Sequence, residues 1–294
     1  MKPAAFDYHR ATSLDHALEL LAQYGDEGKV LAGGQSLVPA MNFRLAQPSV
    51  LIDINGVEEL ARIRVLPEVL RIGAGVRQRA VELSSEVAQV VPLVARTMPH
   101  IAHPQIRNRG TFGGSLAHAD PAAELPAVAS TLGATLRVCS RRGERVISAD
   151  DFFIDLLTTA MEPDELLTAV DLPHCQPGEG FAFDEFARRH GDYALVGVAV
   201  AVRCEAGRCT GVRASLLSVG NGPVGATSLE EQLVGESPTE ERIRAAAAHA
   251  AQHDLDPGSD IHASAAFRRH LAEGLLRKTI TSAFQEATHG VSSA

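Results

Sequence analysis

Residues 32–37, Ala32-Gly33-Gly34-Gln35-Ser36-Leu37, follow a short apolar piece, Lys29–Ala32, and precede a helical turn expected over Ser36–Arg44. A second stretch echoes it: Gly110-Thr111-Phe112-Gly113-Gly114-Ser115, continued by Leu116-Ala117-His118-Ala119-Asp120-Pro121. Glycine lets backbone amides approach an anion closely and adopt positive φ. Successive amides then donate to phosphate oxygens, and Ser36, Thr111 and Ser115 can add hydroxyls. Two such loops suit the two phosphates of a dinucleotide, gripped from opposite sides. Each loop alone also reads as a tight turn. No GxGxxG opens a βαβ unit, and no GxxxxGK with a following Ser or Thr occurs, so a Rossmann site and a P-loop are disfavoured.

Outward from the loops, strands and helices alternate, as in α/β or α+β layering. Leu14, Ala17, Leu18 and Leu21 have helical spacing, with Thr12 or Ser13 as cap and Gly25 as stop. Val50–Ile54 and Leu70–Ile72 read as strands. Val76–Val91 reads as helix, interrupted or restarted at Pro92. Leu125–Leu132 is helical, Thr135–Cys139 and Arg145–Ile147 are strands about a turn, and Asp151–Leu157 is a short helix. Leu166–Leu172 is a strand that stops at Pro173. His174–Gly180, with one proline and two glycines, marks the best domain boundary. Val196–Cys204 and Val212–Val219 form a hairpin candidate. Ser237-Pro238-Thr239-Glu240 reads as a capping box with proline at the first helical position, before a helix over Glu241–Gln252. A last helix covers about Ala263–Gln285, and Gly290–Ala294 reads as a loose tail.

Composition limits the function. The 294 residues are 45% hydrophobic and 21% charged, which fits two soluble domains and not a disordered chain. A net charge of −9 argues against coating nucleic acid. No apolar run is long enough to span a bilayer, and Met1–Arg10 has no signal-peptide core, so a cytoplasmic protein is expected. Cys139, Cys175, Cys204 and Cys209 contain no CxxC pair and read as reduced, packed residues. Close thiolate spacing for an iron–sulfur cluster is missing, and no HExxH occurs, so no metal site is assigned.

Three stretches carry a resemblance: Ala32–Asn55, His103–Pro126 and Arg188–Ala199. In order and spacing they are similar to the FAD-binding medium subunit of molybdenum hydroxylases. That family includes carbon monoxide dehydrogenase flavoproteins and the flavin domain of xanthine dehydrogenase. The resemblance covers the chain nearly end to end. It implies an α+β fold: a vanillyl-alcohol-oxidase (PCMH)-type FAD-binding domain over residues 1–176, in subdomains of about 1–55 and 56–176. A C-terminal α+β domain of the carbon monoxide dehydrogenase flavoprotein type would cover 177–290.

The resemblance also implies site roles. Ala32, Gly33, Gly34, Gln35, Ser36 and Leu37 would hold the FAD pyrophosphate from one side. Thr111, Gly113, Gly114 and Ser115 would hold it from the other. Many relatives carry asparagine at Ser115, so there the backbone role carries over and the side-chain contact does not. Glu124 matches an acidic position that bonds ribose hydroxyls; a solvated first-turn helix charge is its other reading. Asp120 reads as a helix cap. Leu167 matches an apolar position near the flavin, or is a core strand residue. Tyr193 lies in the GDYA motif, close to the isoalloxazine, or is a core or interface tyrosine. FAD would be noncovalent, although His103 and His118 lie near the second loop. A Gly114→Val change is expected to abolish flavin retention.

The leading functional reading is an electron-transfer subunit. Its partners would be a large subunit with the molybdenum cofactor and a small subunit with 2Fe-2S clusters, assembled as a dimer of heterotrimers. None of this chain's side chains is expected to act as a catalytic base. The rivals are a self-sufficient flavin oxidase and a flavin-free scaffold. Asp184, Glu185 and His190 read as surface charges, which offers the oxidase no acid–base pair. The basic residues Arg268–Arg269–His270 read as solvated helix charge or as a partner face. Gln35 stands where relatives that oxidise carbon monoxide often carry histidine, which favours an organic substrate. The expected acceptor is a quinone, a cytochrome or oxygen.

Overall fold

The structure, a computed structural model, describes residues 2–289. Strands β1 (Asp7–Arg10), β2 (Gly28–Leu31) and β3 (Val50–Asp53) form a parallel sheet in the order β1-β3-β2. All four β3 residues are buried, as expected of a central parallel strand. Helix α1 (Leu14–Tyr24) covers the sheet with Ala17, Leu18, Leu20 and Leu21. The Ser13 hydroxyl accepts from the His16 amide at its start, and Gly25 ends it at φ 49°. Helix α2 (Leu37–Asn42) follows the first glycine loop.

A second sheet is antiparallel. Its strands are β4 (Ile63–Val65), β5 (Val69–Gly73), β6 (Thr135–Ser140), β7 (Gly143–Ser148) and β10 (Leu166–Pro173), in the order β4-β5-β10-β6-β7. A small hairpin, β8 (Phe153–Asp155) and β9 (Thr158–Thr159), lies beside it. Around the sheet run α3 (Gln78–Glu82), α4 (Ser85–Val90), α5 (Pro92–Thr97), α6 (Pro104–Arg107), α7 (Phe112–His118), α8 (Glu124–Leu132) and α9 (Ala149–Phe152). The buried side of this layer joins Ile72, Leu136 and Val170 to Phe112, Leu116, Leu125 and Phe152.

The third layer is β11 (Glu179–Phe186), β12 (Val196–Glu205), β13 (Arg208–Leu217) and β14 (Val224–Gly225), antiparallel in that order. Helices α10 (Ser228–Leu233), α11 (Glu240–His253) and α12 (Ala265–His289) pack on it. Side chains alternate along a strand. Thus Val198 and Val200 face α11 and α12, while Ala199 and Phe181 join the core of the preceding layer. Both faces are covered, so the sheet binds the two parts of the chain together. Gly180 permits this: a Cβ there would lie 2.0 Å from the Ala283 carbonyl oxygen on α12.

Several local expectations need correction. The expected Val76–Val91 helix is two short helices, because Ser84 caps a new start by accepting from the Val87 amide. Asp151–Leu157 is not a helix: α9 ends at Phe152 and β8 follows. The cap of α11 is Thr239, whose hydroxyl accepts from Arg242, so Ser237 and Pro238 lie outside the helix. Strand β11 starts inside the expected linker. Arg268 is neither solvated nor a partner face: it is buried, donating to the Leu195 and Ser218 carbonyls and to Asp260. The expected tail, Gly290–Ala294, lies outside the described residues.

Candidate functional site

The first loop leaves β2 at Ala32, turns through Gly34 at φ 71°, and enters α2 at Leu37. Among the described residues, no acceptor meets the amides of Gly33, Gly34, Gln35 or Ser36. The Gln35 side chain folds back, donating to the Gly33 carbonyl at 3.1 Å. Ser36 is exposed, while Ala32 and Leu37 are half-buried.

The second loop is held more tightly. Gln78 donates to the Gly110 carbonyl, Phe112 to Val76 and Gly113 to Ala74. Thr111 caps α7: its hydroxyl oxygen accepts from the Gly114 amide at 3.0 Å, leaving the hydroxyl proton to donate elsewhere. Ser115 is half-buried in the first turn of α7.

The two loops touch through their backbones. A Cβ on Gly33 would lie 2.5 Å from the Arg109 carbonyl oxygen and 2.7 Å from Gly110 Cα. A Cβ on Gly113 would lie 2.3 Å from Ala74 Cβ. Gly114 differs, because it is helical, needs no positive φ, and a Cβ there closely approaches only Thr111 Oγ1, at 2.6 Å. Unpaired amides, hydroxyls and the nearby Arg77 and Arg109 are the donor set a pyrophosphate requires. The residues present therefore fit a dinucleotide such as FAD.

Sequence comparison agrees with this chemistry. Residues 4–175 match the family "FAD binding domain in molybdopterin dehydrogenase", and residues 181–283 match "CO dehydrogenase flavoprotein C-terminal domain". The chain is an FAD-binding subunit of the molybdenum hydroxylase family. This FAD subunit is 44% identical to the 6-hydroxypseudooxynicotine dehydrogenase complex subunit alpha of Paenarthrobacter nicotinovorans, over 98% of this chain and 97% of the relative. Among solved structures it resembles quinoline 2-oxidoreductase from Pseudomonas putida 86, with TM-score 0.93 and 39% identity, covering 98% of this chain and 100% of that one. It also resembles carbon monoxide dehydrogenase from Hydrogenophaga pseudoflava, with TM-score 0.94 and 35% identity, covering 97% and 99%. The FAD subunit thus belongs to oxidoreductases built from several subunits, in which molybdenum and iron–sulfur centres lie on other chains. No helix of its described residues is long and apolar enough to cross a membrane.

The other residues singled out in the sequence fall in two places. Leu167 is in the core, where β10 runs under α7. Glu124, Asp120 and Tyr193 gather where the C-terminal domain meets the second loop. Glu124 is the first residue of α8 and is half-buried. Burial and the Glu185 carboxylate push its pKa up to about 8, against the pull of its own amide and of His100. Asp120 does not cap α8; it accepts from the Ala122 amide and lies close to Tyr193. Burial, then Asp120 and Glu124, raise the Tyr193 pKa. Gly191, at φ 88°, lets this loop rest on His103: a Cβ would lie 2.3 Å from the ring.

Two features escaped the sequence reading. Glu185 is not a surface charge. It is buried, with Oε1 3.5 Å from His100 Nδ1 and Oε2 without a partner. No local pattern in β11 signals it, because burial there does not alternate along the strand. Asn55 ends the first matched stretch, yet its bonds to Ala32 and Arg77 follow only from the fold.

Proposed function

We propose that this chain is the electron-transfer subunit of a three-subunit molybdenum hydroxylase, with FAD held noncovalently where the two glycine loops meet. The observation that carries this is the contact of Gly33 with Arg109 and Gly110, beside the unpaired amides of Gly33–Ser36. Ala32–Leu37 donate from one side. Thr111 and Ser115 offer hydroxyls from the other, and Gly114, whose amide already donates to Thr111, keeps the turn narrow. The Gly113 amide already donates to Ala74, so Gly113 contributes shape. Glu124 meets a ribose as a neutral acid at pH 7, Leu167 backs α7 from the core, and Tyr193 screens the opening. Bound FAD supplies the exchange between two-electron and one-electron chemistry. The chain receives electrons from 2Fe-2S clusters on a small partner, fed by a molybdenum centre on a large partner. It passes them to a quinone, a cytochrome or oxygen. The assembly is a dimer of these heterotrimers in the cytoplasm.

The substrate class is an N-heterocycle or a compound derived from one. Supporting this, identity is 44% to the 6-hydroxypseudooxynicotine dehydrogenase subunit and 39% to quinoline 2-oxidoreductase, against 35% to the carbon monoxide dehydrogenase. The test is to isolate the chain from its native source with its companions and record the visible spectrum and metal content. Flavin with iron–sulfur absorbance, two further subunits and molybdenum is expected. Flavin without companions would replace this reading with a self-sufficient oxidase. A chain that stays colourless after incubation with FAD would leave only a scaffold.

A further inference from the structure

Among the described residues, no backbone hydrogen bond joins Ala32–Leu37 to Arg109–Ser115. The loops touch, but contact alone does not fix their spacing. A chain of side chains does. Asn55 Nδ2 donates to the Ala32 carbonyl at 2.9 Å, and Asn55 Oδ1 accepts from Arg77 at 2.7 Å. The other terminal nitrogen of Arg77 donates to the Arg109 carbonyl. One bridge therefore runs from the carbonyl before Gly33 to the carbonyl before Gly110. It is braced from behind. Asp53 Oδ1 accepts from both the amide and the side chain of Asn55, and Asp53 Oδ2 accepts from the Tyr8 hydroxyl.

The bridge also carries charge. Arg77 spends its terminal nitrogens on neutral oxygens, and neither Arg77 nor Arg109 forms an ion pair among the described residues. Burial and the Arg109 charge disfavour the Arg77 cation, and Asp53 compensates in part. Arginine nonetheless stays protonated at any working pH. A poorly neutralised cation thus sits beside unpaired amides, a setting that a bound anion relieves.

We propose that Arg77 and Asn55 are positioning residues for FAD: their bridge sets the gap between the two glycine loops, and the Arg77 charge favours the pyrophosphate. The proposal rests on the loop assignment made above.

The test uses the full-length chain freed of flavin. FAD is titrated by the change in its fluorescence, and ADP, which carries the pyrophosphate without the flavin ring, by competition, each at several salt concentrations. Arg77→Met is expected to raise both dissociation constants about 10- to 100-fold, the loss of charge-assisted bonds. It should also flatten their salt dependence. Arg77→Lys restores the salt dependence but not the affinity, because an ammonium cannot fork to Asn55 and Arg109. Asn55→Ala weakens FAD with the salt dependence intact. Gly33→Ala separates the two readings. If Gly33→Ala loses FAD while Arg77→Met binds FAD and ADP like the parent, the bridge proposal is wrong. If Gly33→Ala binds FAD normally, the loop assignment fails and takes the proposal with it. Should Arg77→Met not fold, Asn55→Ala decides the same question.

Discussion

Arg96 and Glu286 form a bidentate ion pair between α5 and α12, with nitrogen–oxygen distances of 2.5 and 2.6 Å. The same two side chains complete the open edge of β11. Arg96 donates to the Phe181 carbonyl at 2.6 Å, and Glu286 accepts from the Phe181 amide at 3.0 Å. An edge strand leaves such groups unpaired. Here one helix from each domain satisfies them, and the pair locks the FAD-binding domain to the C-terminal domain.

Removing both partners should cost less than the sum of removing each. Glu286→Ala leaves the Phe181 edge amide unpaired and releases the exposed Arg96 guanidinium to water, so a loss of about 1–2 kcal/mol is expected in urea unfolding. The double variant with Arg96→Ala should fall short of the summed losses, with a coupling of about 1–2 kcal/mol. Acid should weaken the lock. Burial raises the Glu286 pKa, but the bonds from Arg96 and Phe181 outweigh it and hold the carboxyl below its usual value. A lowered carboxyl pKa contributes stability above the unfolded value, near 4.5, that is lost as pH falls through the folded value. Additive single-variant losses would show that the pair is not a lock.

Glu124 gives the opposite dependence. Its pKa is pushed up to about 8 by burial and by Glu185. Between the unfolded value and about 8, the folded chain holds a proton that the unfolded chain has released. Its stability contribution is present below about 4.5 and is lost as pH rises through about 8. Glu124→Gln keeps the shape without the ionisation. The parent's urea midpoint should drop between pH 5 and pH 8.5, and the variant's should drop less. A residual slope is expected from His100, whose pKa is raised by its bond to Glu185. Equal slopes in the two proteins would exclude Glu124 as the titrating group.

The cysteines should separate by burial. Cys204 and Cys209 stand opposite each other on β12 and β13, both buried, and burial lifts the Cys209 thiol to about 11. The thiolate is the nucleophile. A disulfide reagent at pH 8 should therefore modify the partly exposed Cys139 and Cys175 first and reach Cys209 only with denaturant. Rapid modification of all four thiols in the native chain would contradict this packing.

Which parts of the fold were legible in the sequence follows from their physics. The Leu14–Leu21 spacing and the Val50–Ile54 run are local patterns with one stable outcome and stand as read, and the hairpin stands with its second strand starting at Arg208 and not at Val212. The first glycine loop was legible as a loop, but the second was only partly so: Phe112–His118 form α7, and Gly113 is there for close approach to Ala74 and not for a turn. Arg268 misled because a basic pair on a helix usually faces water, whereas here three acceptors from distant segments surround it. Glu185 misled for the same reason. Its burial depends on α5 and the turn at His100 packing across β11, which no window of sequence contains. Asn55 and Arg77 were silent because their partners lie 22 to 32 residues away.

The glycines themselves offer a graded test of the loops. Gly33 has no room: a methyl group there meets the backbone of Arg109 and Gly110, which Ile106, Gln78 and Arg77 hold in place. Gly33→Ala must force the loops apart, so the purified chain should carry almost no flavin. Gly114 has more room, because its nearest neighbour is a side-chain oxygen. Gly114→Ala should disturb only the Thr111 cap, a cost of about 1 kcal/mol, and keep most of its flavin. Gly114→Val, which the sequence alone suggests would abolish retention, should instead fall between them, because Gly114 is helical, has no positive φ, and a Cβ there would stand 3.8 Å from Ala32 Cβ. The ratio of flavin to protein absorbance in the three variants ranks them directly. A ranking with Gly114→Val below Gly33→Ala would mean that the second loop, and not the contact between the loops, governs retention.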